Sequence, residues 1–411
     1  MSNLGINFTA WPEMLAWPYL ILQGWLPYRD IAIAHNPLLL LDLVVFFKIF
    51  GLGVLQLKIY TWILIVINMG LMYFVADKFW NKKNAVVTSI FYVLLLIVFE
   101  GNGLWFDLAL TPFAILLYYF IRQKSYLWSG IIFALGFLTK QTFIYFAIPV
   151  VFSLIKEKKD LIKKIEKLTI GLLLVFIPFV LVMQLLGMLD DYYKWAIEFG
   201  IFYLPNAVGQ VSLPTIKQLL FGATPFLIFV FNPSLLIWSV VGTLGVYPRF
   251  EFFHFQPALP FVALVFSGFI LSNKSKYLKF VVLLVASIFL SVGIKRQLGN
   301  NTRFYESDMQ KVSSLITNQY PPITSLYVIN YWDNLYALTN TLPPKPLIPY
   351  IPWYLNYKDN YEVIVNSLKL KQHEMIVIGE REDKYPEIYE FVDKYYTCNK
   401  IEKKVELCGK N

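Results

Sequence analysis

Read from its start, the chain is a succession of apolar runs separated by short polar loops. A helix crosses the hydrocarbon core with about 20 mainly apolar residues and must satisfy its backbone internally. Runs of this kind fall at 57–76, 84–100, 104–121, 127–139, 142–155, 168–188, 215–231, 234–247, 255–272 and 278–294. They predict about ten transmembrane helices, with the two that meet at Thr139–Thr142 reading as an interrupted pair. Ahead of them, Pro37–Phe50 is apolar but short, and is expected to lie along the interface. After the last run the pattern changes. Thr324–Ile329 and Met375–Ile378 are short β-rich runs, while Tyr361–Lys371 and Tyr385–Tyr395 have helical spacing. These predict a small α/β domain with a parallel sheet. The aromatic, proline-rich stretch Leu342–Tyr357 is expected to reach back over the membrane part.

The fold class is therefore an α-helical polytopic membrane protein with a small C-terminal α/β extracytoplasmic domain. It divides into an outer segment with interfacial helices (1–55), a transmembrane bundle (56–295) and a soluble domain (296–411). Composition agrees. Of 411 residues, 57% are hydrophobic, 18% aromatic and 15% charged, against about 25% charged in soluble domains. From Asn300 onward 27 of 112 residues are charged with net −1; before it, 36 of 299 are, with net +10.

Charge also orients the bundle. Lys78, Lys82 and Lys83, then Arg122 and Lys124, then Lys156–Lys167, then Lys274, Lys276 and Lys279 follow alternate runs, so all fall on one side. These loops hold 14 basic and 4 acidic residues, and the remainder of the first 299 residues holds 9 of each. By the positive-inside rule the basic side is cytoplasmic. The first 55 residues and the tail then face outward from a multi-pass protein of the cell (plasma) membrane. No signal segment precedes Trp11 to carry the first part across, so a leading helix upstream of Met1 is expected.

The outward loops hold most of the polar residues with chemical potential. Glu13 follows Trp11-Pro12, where a carboxylate suits the first turn of a helix, so helix capping competes with any chemical role. Asp30 and His35 flank another possible helix start. Glu100, Asn102 and Asp107 lie between the second and third runs, Lys140-Gln141 breaks a run, and Arg249, Glu251 and His254 cluster before the ninth. Charged groups at membrane depth usually face a cavity or a partner, and snorkelling is the plainer account of Lys140 or Arg249 taken singly.

Three histidines and two distant cysteines form no ligand cluster, so nothing in the sequence supports a divalent metal. There is no nucleotide-binding glycine motif, and no basic aromatic patch for nucleic acid. Cys398 and Cys408 bracket an expected hairpin, where pairing and free thiols stand equal.

Gly24-Trp-Leu-Pro-Tyr-Arg-Asp30 followed by His35-Asn-Pro-Leu38 resembles the first outer loop of GT-C superfamily glycosyltransferases. The nearest type is the bacterial branch related to protein O-mannosyltransferases and aminoarabinose transferases. Thr139-Lys-Gln141 and the stretch from Arg249 to Pro260 resemble further blocks of that branch. The resemblance covers most of residues 10–300. It implies sugar transfer, hexosyl or pentosyl and inverting, from a polyprenyl-phosphate-linked donor to a glycan, lipid or protein acceptor at the outer face.

The resemblance also implies an acidic residue of the first loop acting as base. Trp11-Pro12-Glu13 stands where the family carries an Asp-Glu pair. Asp30, in the best-matched block beside Arg29, ranks narrowly ahead of Glu13. Lys140, Arg249 and Arg29 are the cations expected at the leaving phosphate, with His35, Gln141, His254 and Asp107 completing the substrate and lipid-phosphate set. The aromatic stretch Asp190–Pro214 would wall the cavity. A lipid or glycan transporter or flippase without catalysis is the competing reading, but the chain shows no internal repeat of the kind transporters carry.

Overall fold

The structure, a computed structural model, describes residues 5–156, 159–319, 322–370, 373–382, 385–402 and 404–411. Met1–Leu4 of the outer segment, Glu157 and Lys158 of the basic loop, and Lys371 at the end of an expected helix lie outside them.

Two helices, α1 (Glu13–Leu22) and α2 (Leu38–Phe50), precede the bundle. Along α2, Leu41, Val45 and Ile49 recur one turn apart as an exposed apolar stripe, as an interfacial helix requires. The ten apolar runs all fold as helix. They form α3 (Val54–Phe79), α4 (Lys82–Val98), α5 (Phe106–Arg122), α6 (Tyr126–Thr139), α7 (Ala147–Lys156), α8 (Leu161–Leu185), α10 (Ile216–Ala223), α11 (Leu236–Thr243), α12 (Leu259–Ile270) and α13 (Lys276–Gln297), with a short α9 (Leu189–Tyr192) after α8.

By length and composition, however, four helices among the described residues can cross a membrane unaided: Val54–Phe79, Leu161–Leu185, Phe252–Ile270 and Lys276–Gln297. Ile216–Val230 and Pro233–Val246 together count as one more, bent by 118°. Apolarity alone does not register such breaks. Pro233 lacks an N–H to continue the first helix, and the Asn232 side chain accepts the Ser234 N–H at 3.1 Å to start the next. Likewise the extended backbone of Lys140 (φ −154°, ψ 137°) separates α6 from the 3-10 turn Gln141–Phe146 that leads into α7.

Packing within the bundle is closest where α6 meets α8. A methyl group at Gly130 would lie 2.1 Å from the Leu168 carbonyl, and one at Gly171 the same distance from that of Leu127. Small residues let two backbones touch in this way inside a membrane. Gly171→Val is therefore expected to destabilise the protein by about 2 kcal/mol or more through overpacking, read as a lowered melting temperature in detergent.

The tail carries a four-stranded sheet in the order β3 (Leu326–Ile329), β4 (Met375–Ile378), β6 (Val405–Lys410), β5 (Tyr396–Glu402). The expectation of a parallel sheet is corrected here. β3 and β4 are parallel, but β6 runs antiparallel to both neighbours, because a tight hairpin can return only antiparallel. Cys398 and Cys408 face one another across that hairpin and form a disulfide.

Three contacts fasten the tail to the segment ahead of the bundle. Strand β1 (Phe8–Thr9) pairs in parallel with β2 (Thr302–Arg303). Helix α15 (Asn334–Thr339) packs on α1. The stretch 342–358 crosses over the first loop, with the Leu347 N–H donating to the Asp30 carbonyl at 2.8 Å and the Ala32 N–H to the Leu347 carbonyl at 2.9 Å. Its rings go further, Tyr354 and Tyr357 stacking on Trp195, Phe199 and Tyr203 of the π-helical segment Tyr193–Tyr203.

Candidate active site where the tail meets the bundle

Glu13 stands in the first turn of α1, behind Pro12 in helical conformation. Its neighbour Trp11 packs against Trp105 (4.8 Å between centroids), Phe304 (5.1 Å) and Phe253 (5.3 Å), and the Arg303 guanidinium lies 5.4 Å over it. This aromatic knot joins the first loop, the residue capping α5, the 3-10 turn Phe252–Ala258 ahead of α12, and the tail. Beside it the Glu13 Oε2 atom is shut off from water and has no hydrogen-bond partner among the described residues. Burial raises the Glu13 pKa above the usual carboxylate range; its own backbone N–H and the charge of Arg249 pull the other way.

One turn along the same helix face, buried Trp17 carries an indole N–H that also lacks a partner. A carboxylate oxygen that can accept and an indole that can donate thus share one face of α1. Buried polar atoms are normally satisfied, so these two orphan atoms mark a face of α1 able to bond a polar group.

Arg249 is held at the rim by pairing with Ser212 across Pro248 and Phe250. It contacts Glu251 at 3.5 Å and lies 5.6 Å over the Trp353 ring of the crossing stretch. Its side chain is 41% exposed.

Beneath the rim, Asp107 at the start of α5 receives two partners on one oxygen. Lys140 Nζ donates to Oδ2 at 2.7 Å and His254 Nδ1 lies 2.8 Å from it. A carboxylate only accepts, so Nδ1 carries the proton. The pair is sealed, Lys140 and Asp107 being 6% and 1% exposed. His35 sits against this group, 4.2 Å from the Phe106 ring. Burial first, then the charge of Lys140, push its pKa down to about 3, so the imidazole is neutral at physiological pH.

The remaining expected residues serve as clamps. Gln141 donates to the carbonyls of Ala34 (2.9 Å) and Ala196 (2.8 Å), fixing the His35 segment to the π-helical segment. Arg29 turns away to Asp191 at 3.4 Å and to the carbonyls of Leu186 and Gly187. Asp30 accepts the Leu26 N–H and pairs with Lys345 Nζ, both at 2.8 Å. The structure thus joins Asp107, Lys140, His254 and His35 in one group, places Glu13 and Arg249 in another, and sets Arg29 and Asp30 apart from both.

Sequence reasoning passed over Asp333 and Tyr354, both in the tail. Burial and then the charge of Glu13 raise Asp333 to about 7. The Tyr354 hydroxyl, within reach of the Ala34 backbone, senses both acids. No local signal marks either residue, because each reaches the site only through the packing of the tail. Among the described residues, the one group of three His, Cys, Asp or Glu side chains with metal-ligand spacing is Cys398, Glu406 and Cys408, whose two sulfurs are bonded to each other.

Comparison with known proteins bears out, at the level of fold, the resemblance read in the sequence. Residues 34–183 match the family described as dolichyl-phosphate-mannose-protein mannosyltransferase. The crystal structure of ArnT from Cupriavidus metallidurans in the apo state is similar over 99% of this chain and 94% of its own, at 12% identity and a TM-score of 0.68. The same protein bound to undecaprenyl phosphate is similar over 99% and 95%, at 12% identity and a TM-score of 0.66. No curated protein matches the chain by sequence.

Proposed function

We propose that the chain is an inverting membrane glycosyltransferase that moves a sugar from a polyprenyl-phosphate donor to an acceptor nucleophile, with Glu13 as general base. The observation that carries this reading is the buried, partnerless Oε2 of Glu13, which senses the charge of Arg249, itself lying over the Trp353 ring of the tail. The donor class is drawn from the similar ArnT, which binds undecaprenyl phosphate.

The chemistry follows from the residues. The acceptor O–H gives its proton to Oε2 as its oxygen bonds the anomeric carbon. The bond from that carbon to the phosphate oxygen breaks, and its electron pair leaves with the phosphate, whose charge the half-exposed Arg249 neutralises. One displacement inverts the centre. Asp30, ranked first on sequence, gives way to Glu13 in this reading, since Lys345 and the Leu26 N–H already occupy its carboxylate. Lys140 likewise gives way to Arg249 as the phosphate-facing cation.

The direct test is transfer of a radiolabelled sugar from a polyprenyl-phosphate donor to membrane lipid, glycan or protein. The base must be ionised, so activity falls as pH drops through the Glu13 pKa. Because burial raises that pKa, the acid limb of kcat/KM is expected above the usual range of a carboxylate, and Glu13→Gln abolishes the limb.

The reaction is assigned to the outer face on the charge asymmetry of the loops. A cysteine introduced at exposed Asn318 is expected to react with an impermeant maleimide on intact cells. Protection until the membrane is permeabilised would reverse the orientation.

A further inference from the structure

His254 keeps one ring nitrogen that the buried group does not use. Its Nδ1–H is spent on Asp107 Oδ2 at 2.8 Å. Lys140 Nζ reaches the same oxygen at 2.7 Å and stands 3.5 Å from Nδ1. One lysine already balances one carboxylate there, so a second buried cation would have no counter-charge. The ring is therefore neutral, with its proton on Nδ1. The bond made by one ring nitrogen sets the state of the other, so Nε2 holds a lone pair and can only accept. Among the described residues nothing donates to it. Packing does not shut it off as it does Glu13 Oε2, and the side chain stays 11% exposed where Asp107 and Lys140 are sealed.

Ring contacts tie this group to the proposed reaction centre. The His254 ring meets Phe253 at 4.3 Å, and Phe253 meets Trp11, just ahead of Glu13, at 5.3 Å. From the other side His35 meets Trp105 at 5.7 Å, and Trp105 meets Trp11 at 4.8 Å. Arg249, half-exposed at the rim, belongs to the same stretch as His254. A cation and then a neutral acceptor thus follow one another from the rim inward.

We propose that His254 Nε2 accepts a hydrogen bond from a hydroxyl of the donor's sugar, with Asp107 as the positioning residue that holds the ring in this tautomer. This rests on the reading of the chain as a glycosyltransferase. A phosphate oxygen is charged and accepts, so a lone pair repels it, whereas a sugar hydroxyl donates and matches it. A donor with its phosphate at Arg249 would carry its sugar inward to His254. Such a site rejects a sugar that lacks the hydroxyl, because the buried acceptor is then left unpaired.

The chain has three histidines, His35, His254 and His373, so nitrogen NMR of the full chain in lipid, labelled at histidine, can follow each ring. His254→Gln assigns its signal by loss. The free protein is expected to show His254 with Nδ1 protonated and Nε2 bare. Undecaprenyl phosphate bearing mannose, glucose or arabinose is then added, with undecaprenyl phosphate alone as the control. At least one sugar lipid is expected to shift Nε2, and the bare lipid phosphate to leave it in place. An equal shift from the bare lipid phosphate, no shift from any sugar lipid, or a proton on Nε2 in the free protein overturns the proposal.

In transfer assays, His254→Ala is expected to raise the donor KM about tenfold, the worth of one hydrogen bond, with the loss falling on KM rather than kcat. His254→Gln, whose amide oxygen still accepts, should recover part of it. An unmoved KM in His254→Ala also overturns the proposal. Because the NMR arm needs no turnover, a sugar lipid that shifts Nε2 in a chain that transfers nothing supports the site and sinks only the catalytic reading. Should the His254 variants fail to fold, His35→Gln and His373→Gln assign the remaining signal by elimination, and the wild-type titration decides.

Discussion

Glu13→Gln is expected to reduce sugar transfer about 10²–10⁴-fold, the usual cost of a lost general base, while donor affinity stays within about twofold. Glutamine keeps the size and the hydrogen-bonding reach but cannot take a proton. The side chain caps no helix and holds no partner through Oε2, so the fold has little to lose. Asp30→Asn should act in the opposite sense. It loosens the turn held by the Leu26 N–H and frees Lys345, which lowers stability while leaving kcat within a few-fold. Steady-state kinetics with a melting curve separates the two. A dead Asp30→Asn beside an active Glu13→Gln would restore the ranking read from sequence.

The largest stability effect is expected at the buried pair. Lys140→Met removes the cation facing Asp107 and leaves a carboxylate with His254 alone, at a cost of about 3–5 kcal/mol. Combining it with Asp107→Leu removes the stranded charge and should recover most of that loss, read as melting temperatures of the two single variants and the double. If Lys140→Met instead melts like wild type and only raises the donor KM, Lys140 belongs to the phosphate site after all. A double variant no better than the worse single one would mean that the polar group is needed for some other contact.

What could be read from the sequence follows from how local each feature is. The membrane body was legible because an apolar run of sufficient length can only be buried or lipid-facing. The breaks were less legible, since Asn232-Pro233 and Lys140 interrupt the helical backbone without interrupting apolarity. In the tail, β3 and β4 are continuous apolar runs, buried at every position, but the antiparallel return of β6 depends on a hairpin whose residues are polar.

The site divides in the same way. Lys140, Asp107 and His254 stand out individually as charged or titratable groups among apolar neighbours, yet their common oxygen does not show in sequence, 33 and 147 residues apart. Asp30 looked the better acid because it sits beside Arg29. In space Arg29 turns to Asp191, and Lys345, more than 300 residues on, takes its place. Asp333 had no signal at all. A residue whose neighbourhood is made by the packing of α15 on α1 carries no trace of it in the residues either side.

The stitching of β1 to β2, of α1 to α15 and of the crossing stretch to the first loop sets a rule for recombination. A crossover that exchanged the tail alone between two relatives would part Trp11 from Phe304 and Asp30 from Lys345, so tail and leading segment are inherited together or not at all. Chimeras spliced within α13 should misassemble unless residues 5–37 travel with the new tail. Although these stretches lie far apart in the chain, they behave as a single heritable unit.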